Sequence, residues 1–150
     1  MKTLIALLIA IKVLSPEFSE VISSERPRVI TLINPVAEKI IGTSQPRHLR
    51  EFRRTLLDDR FYEPQVSIIT PFSEFLPDVR IEYKDITIYV DFIFRTILFQ
   101  EKTGYFQYLQ LTTEGNMRIL EIITDLFPDD DFLKVILEAE RLRVKQKEGT

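Results

Sequence analysis

The sequence predicts an α+β fold, because a block of strands lies between two helix-rich parts of the chain. From Ile86 to Phe94, apolar residues occupy every second position, which is the period of a half-buried strand. Residues 46–60 and 113–146 instead carry apolar residues at the spacing of an amphipathic helix. We therefore expect an antiparallel sheet of about four strands within residues 79–111, preceded by amino-terminal helices and covered on one face by two carboxyl-terminal helices.

The composition is that of one folded domain spanning residues 1–150. Hydrophobic residues make up 45% of the chain and charged residues 29%, which is too apolar for a disordered protein. The absence of cysteine excludes disulfides, thiolate metal sites and cysteine nucleophiles, and it fits a reducing compartment. Because His48 is the one histidine, a histidine-rich metal site is also excluded. A Ser-His-Asp triad would need His48, which lies in an Arg-rich segment where a general base is hard to keep neutral.

The amino-terminal apolar run extends from Leu4 to Ile11 and is interrupted by Lys12. We interpret residues 1–14 as a buried helix that ends before Pro16, because proline does not continue a helix interior. Two alternatives are a signal segment and a helix that lies in a membrane interface. The run is too short to cross a bilayer, which needs about 20 apolar residues. We expect a cytoplasmic protein without membrane contact, or an exported one if residues 1–14 act as a signal.

Two segments before the main sheet are expected to add short elements. Residues 28–33 predict a strand, and Pro35 then suggests a short helix that Gly42 closes. Prolines restrict helix throughout residues 62–78 and leave room for one short strand at residues 66–69.

The main sheet is expected to be an antiparallel meander. Its apolar positions change phase at Lys84 and Asp85, which indicates a turn or bulge there. A strand at residues 96–100 continues into another at 105–111 through a short connection, in which Gly104 supplies the positive backbone angle. The more polar face of the central strand is expected either to be solvated or to meet a partner, and it carries Thr87, Tyr89, Asp91 and Arg95.

Two helices are expected after the sheet. Thr112 or Thr113 caps the first, and Pro128 stops it. The aspartates at residues 129–131 suggest a cation site, but a calcium loop needs a longer ligand pattern with a glycine and a distal glutamate. We interpret them instead as capping the second helix, whose far end carries the cations that complement its dipole, Arg141, Arg143, Lys145 and Lys147. No metal and no cofactor is expected.

The helix at residues 46–60 is the most basic part of the chain. Residues 26–60 carry eight Lys or Arg and four Asp or Glu, a net charge of +4, whereas residues 61–150 carry ten and sixteen, a net charge of −6. Arg47, Arg50 and Arg54 are spaced to project from one side of the helix. They are either a solvated face paired with nearby acids or a surface that binds nucleic-acid phosphates.

A short stretch, PDVRIEYK, resembles the PD-(D/E)xK nucleases in its residue types. The resemblance implies that Asp78, Glu82 and Lys84 would hold magnesium and position the attacking water. In that family the aspartate and the Glu-x-Lys lie on neighbouring strands. Only three residues separate Asp78 from Glu82 here, so the spacing departs from the family pattern.

A second stretch, ILFQEKTGYFQYLQLTTEG, resembles the wing of winged-helix DNA-binding domains. That family would place a recognition helix just upstream. The stretch ITIYVDFIFR, which occupies that position, has strand periodicity and a β-branched composition that favour sheet.

The function expected from the sequence is non-enzymatic binding or assembly through protein–protein contacts, including self-association. The alternatives are nucleic-acid binding by Arg47, Arg50 and Arg54, and the divergent nuclease. No small-molecule ligand is expected.

Overall fold

A computed structural model describes residues 13–33, 38–64 and 75–149 of the protein. Residues 1–12 of the expected amino-terminal helix, and the strand expected at 66–69, lie outside the described residues. The helices are α1 (Pro16–Ser24), α2 (Pro46–Leu57), α3 (Thr113–Leu126) and α4 (Asp131–Glu148), with a short 3-10 helix at Asp59–Phe61. The strands are β1 (Val29–Leu32), β2 (Glu38–Ile40), β3 (Val79–Glu82), β4 (Ile86–Asp91), β5 (Thr96–Glu101) and β6 (Phe106–Gln110).

The strands form one antiparallel sheet in the order β2-β1-β3-β4-β5-β6. The meander from β3 to β6 is confirmed, but the sheet has six strands and not about four. The strand expected at residues 28–33 is β1, and it adds to the sheet by pairing with β3. The expectation of a helix closed by Gly42 is wrong for residues 38–40, which form β2. They pair with the outer edge of β1, where Ile40 lies opposite Ile30, and so satisfy backbone groups that a helix would leave unpaired.

The turns of the meander follow the sequence in two places and depart from it in one. Gly104 has a φ of 102°, as its place between β5 and β6 predicts, and the chain turns at residues 84–85. The strand expected to continue through Phe94 ends at Asp91 instead. The alternation is therefore broken: Phe94 is exposed, whereas Asp91 on the expected polar face is buried.

One face of the sheet carries the core. A row of fully buried side chains crosses four neighbouring strands in register, Ile30, Ile81, Ile88 and Phe99. Phe18 of α1 packs on Phe99, with ring centroids 5.6 Å apart. The helices pack against one another in chain order, and their apolar residues join those of the sheet in one core. Among the described residues, no helix combines the length and the apolar character needed to cross a membrane.

The helix ends are fixed as their sequences predict. The Thr112 hydroxyl accepts a hydrogen bond from the Gly115 N–H at the start of α3, and the Asp130 carboxylate accepts one from the Leu133 N–H at the start of α4. The basic helix expected at 46–60 ends at Leu57 and continues into the 3-10 helix.

Candidate functional site

The connection between β4 and β5 presents two large apolar side chains to solvent. This β4–β5 turn consists of residues 92–95. Ile93 is 57% exposed and Phe94 is 60% exposed, whereas Phe92 points into the core and is fully buried. Arg95 has a φ of 55°, a left-handed conformation that is uncommon for a residue other than glycine and costs about 1 kcal/mol or more. The surrounding structure must therefore hold this turn in place.

Two carboxylates bind the backbone N–H groups of the turn. Asp91 Oδ1 accepts hydrogen bonds from the N–H groups of Ile93, at 3.1 Å, and Phe94, at 3.2 Å. Asp78, the residue before β3, accepts one from the Phe92 N–H at 2.9 Å. Both carboxylates are buried, so these hydrogen bonds are shielded from water.

Two side-chain amides bind the carbonyl groups of the same turn. The Asn116 amide on α3 donates to the Phe92 carbonyl at 2.9 Å. The Gln110 amide at the end of β6 donates to the carbonyls of Phe94, at 2.8 Å, and Arg95, at 3.1 Å. The turn is thus held by side chains from β4, β6, α3 and the residue before β3.

An ion pair between the partly buried Arg95 and the buried Glu140 ties the turn to α4. Arg95 donates two hydrogen bonds to the Glu140 carboxylate, from Nε at 2.8 Å and Nη2 at 2.9 Å. Glu140 is 1% exposed and also accepts from Asn116, at 2.9 Å, and from Arg143, at 2.6 Å. Burial alone would raise the pKa of Glu140, but these three donors outweigh it and lower the pKa. The group is therefore a fully hydrogen-bonded carboxylate.

The pKa of Asp78 shifts in the opposite direction. Burial is the main cause that raises this pKa to about 6; the hydrogen bond from the Phe92 N–H offsets part of this shift, and the nearby Asp91 carboxylate adds to it. The charged form of Asp78 is thus held at a cost near neutral pH.

Buried charges and amides are expensive to desolvate, and most proteins place hydrophobic residues where they can. Here such groups converge on one short turn, of which only Phe92 contributes a large side chain to the core. What they do together is to fix the backbone from which Ile93 and Phe94 project. A preorganised turn loses little conformational entropy when its side chains are buried by another molecule.

Sequence reasoning did not identify this site, because the alternation from Ile86 to Phe94 resembles one continuous strand. One local signal was available. Asp91 lies two residues before Ile93, and aspartate commonly accepts a hydrogen bond from the backbone two residues further on. The other partners of the turn are distant in sequence and leave no local pattern.

The three arginines predicted to bind are all exposed on α2. Arg47 forms an ion pair with Asp125 of α3 at 2.9 Å. Within the part of the chain that the structure describes, Arg50 and Arg54 have no ion-pair partner. Arg54 also lines a groove of about 380 Å³ between α2 and α3. The groove has mixed charge, because it is also lined by Arg60, Arg118, Glu51, Asp58, Glu114 and Glu121.

The residues that resemble the nuclease pattern are not brought together. Asp78 is buried against the β4–β5 turn, whereas Glu82 lies four residues further along β3 with its carboxylate 3.4 Å from Arg80. Four residues of strand span about 13 Å. Lys84 is exposed in the turn that follows. Across residues 13–33, 38–64 and 75–149, no cluster of three or more His, Asp or Glu could hold a metal ion.

Protein-family models, curated protein sequences and solved structures were compared with the chain, and none of them matches it.

Proposed function

We propose that the protein is a non-enzymatic binding module that inserts Ile93 and Phe94 of the β4–β5 turn into an apolar pocket on a protein partner. The observation that carries the proposal is the fixed backbone beneath these two exposed side chains: Asp78, Asp91, Gln110, Asn116 and Glu140 all hold it. Aromatic side chains anchored on rigid backbone are typical energetic centres of protein interfaces.

The energetics favour a protein partner over solvent exposure. Burying two large apolar side chains contributes roughly 1.5–3 kcal/mol each. A mobile loop would lose part of that gain in the entropy of ordering its backbone. In the β4–β5 turn the ordering has already occurred on folding, so most of the gain is available for binding.

The proposal is tested with the variant Ile93→Ser/Phe94→Ser. Both side chains are exposed, so we expect the free energy of unfolding to change by less than about 1 kcal/mol. Tagged wild-type and variant proteins are used to capture partners from an extract of the source cells, and light scattering measures self-association. We expect a discrete partner protein to be lost from the variant.

The matched control is Ile41→Ser, which removes an apolar side chain that is 88% exposed and lies away from the β4–β5 turn. We expect it to retain the partner. Equal retention by wild type and the double serine variant would refute the proposal. So would a wild-type protein that is monomeric and captures no partner.

A second candidate function is binding of nucleic-acid phosphates by α2. The observation in its favour is that Arg50 and Arg54 are exposed and lack an ion-pair partner among the described residues, whereas Arg47 is already paired with Asp125. Unpaired guanidinium groups are free to displace counterions from a phosphate backbone.

Fluorescence anisotropy with labelled single-stranded and duplex nucleic acid tests this candidate. It is run at low and near-physiological salt with magnesium present, and the products are examined on a gel. Binding that falls with salt and is lost in the Arg47→Ala/Arg50→Ala/Arg54→Ala variant, but kept in Arg141→Ala, would support it. No binding at low salt would refute it, and cleavage would revive the nuclease.

A further inference from the structure

Helix α4 carries a second apolar stripe that does not face the core. Its buried stripe consists of Leu133, Leu137 and Glu140. Four other apolar residues follow the spacing three, four, three along the same helix: Phe132, Val135, Ala139 and Leu142. At 100° per residue this outer stripe lies about 150° around the helix from the buried one. Val135 is 69% exposed and Leu142 is 53% exposed.

The spacing of the outer stripe is that of the seam between two packed helices. Apolar residues alternately three and four apart are the a and d positions of a coiled coil. A helix that packs on one side only needs no such second stripe, and its solvent side is normally polar. The outer stripe spans about 15 Å along the helix, so it is long enough for only a short helix–helix contact.

Charge selects what can cover the outer stripe. The amino end of α4 is acidic, with Asp129, Asp130 and Asp131, and its carboxyl end is basic, with Arg141, Arg143 and Lys145. A second copy of α4 in antiparallel orientation brings each acidic end beside a basic end. It also places the two helix dipoles side by side in opposite directions, which is the favourable arrangement. A parallel copy would instead bring like charges together.

We infer that α4 is a self-association surface, on which a second copy of this chain packs its own α4 antiparallel through the outer stripe. A twofold interface of this kind uses the same patch on both copies and closes at two chains. Phe132 then meets Leu142 of the second copy, and Val135 meets Ala139 of the second copy. This surface and its occupant differ from those of the β4–β5 turn, so the inference goes beyond the proposed function.

The flanking positions give two ion pairs and one repulsion. Asp131 lies beside Lys145 of the second copy, and the twofold repeats the contact. Neither residue has an ion-pair partner among the described residues, so both are available. Near the twofold axis, Glu138 lies beside Glu138 of the second copy, and the two carboxylates repel each other. Arg141 of the same helix lies 3.7 Å from Glu138 and reduces this repulsion. A single pair of helices is a small interface, so we expect a dissociation constant on the order of 100 µM.

Sedimentation equilibrium from about 10 µM to 1 mM protein measures this dimer directly. We expect wild type to be monomeric at the low end and dimeric at the high end, and Val135→Ser/Leu142→Ser to be monomeric throughout. The control Ile93→Ser/Phe94→Ser should dimerise like wild type, which separates this inference from the proposed function. A wild type that is monomeric at 1 mM, or a dimer unaffected by the α4 variant, would overturn it.

Exchanging the charges tests the antiparallel orientation. Asp131→Lys and Lys145→Glu should each weaken the dimer at least threefold, because each creates two like-charge contacts. The combined variant Asp131→Lys/Lys145→Glu should regain affinity, since opposite charges face each other again. Both substitutions oppose the dipole of α4, so a purely helical effect would make the combined variant the weakest. That result would contradict antiparallel packing. Circular dichroism checks that each variant is folded.

Discussion

The variant Glu140→Ala is the most severe single perturbation of the hydrogen-bond network under the β4–β5 turn. It removes a carboxylate that is 1% exposed and accepts four hydrogen bonds, at 2.6–2.9 Å. Breaking a buried ion pair by deleting one partner typically costs 3–5 kcal/mol, because the other charge is left without compensation.

The structure places the expected cost toward the lower end of that range. Arg143 is exposed and can be solvated, and the Asn116 amide keeps its hydrogen bond to the Phe92 carbonyl at 2.9 Å. The Arg95 guanidinium, however, loses both of its hydrogen bonds at a partly buried position. We therefore expect the free energy of unfolding to fall by about 3 kcal/mol.

Urea denaturation followed by circular dichroism at pH 7 measures this difference. The matched control is Glu138→Ala, an exposed glutamate two residues earlier on α4, and we expect it to change the stability by less than about 0.5 kcal/mol. A double-mutant cycle with Arg95→Ala should give a coupling energy above about 1 kcal/mol. A loss below about 1 kcal/mol for Glu140→Ala would refute the reasoning that this network fixes the turn.

Three further predictions concern the same region and its support. Because the pKa of Asp78 is about 6 in the folded protein and 3.8 ordinarily, its contribution to stability is complete below pH 3.8 and is lost as the pH rises through 6. Asp78→Asn should therefore raise the stability at pH 7 by about 1–2 kcal/mol and flatten its pH dependence between pH 4 and 7. A variant no more stable than wild type at pH 7 would contradict this. Arg95→Gly relieves the strain of the left-handed backbone but leaves Glu140 with one charged partner fewer. Denaturation should therefore show a net loss of about 1–3 kcal/mol in the free energy of unfolding, and a gain would count against the network. Gly115→Ala would place a Cβ 2.5 Å from the Phe61 carbonyl oxygen, so it should lower the melting temperature despite the better helix propensity of alanine, and an unchanged melting temperature would contradict this close packing.

Local patterns predicted much of the fold. The meander of β3 to β6 and the helices α3 and α4 were predicted from apolar spacing. Gly104 marks the turn between β5 and β6 by its positive φ, and Thr112 marks the start of α3 by its cap, because both effects act over a few residues. Strand β2 was missed because it has only three residues and forms where the edge of β1 needs a partner. No pattern within residues 38–40 carries that information.

The candidate site could not be predicted in the same way. In the sequence, Glu140 lies in a run of charged residues and resembles part of a solvated helix face, yet it is fully buried. Its burial depends on Arg95, which is 45 residues away, and on Asn116. Only the packing of α3 and α4 against the turn brings these groups together. The spacing of Arg47, Arg50 and Arg54 predicted only that they share one side of α2, whereas their exposure is seen in the packed structure.

The central claim is that the exposed side chains of the β4–β5 turn are buried in a protein partner. The most direct measurement replaces Phe94 with a photoreactive benzoylphenylalanine in the source cells and identifies crosslinked peptides by mass spectrometry, with Ile41 replaced in the same way as the control. We predict that position 94 crosslinks to one discrete site on a partner protein and that position 41 does not. Crosslinks from position 94 that are no more frequent or specific than those from position 41 would contradict the account.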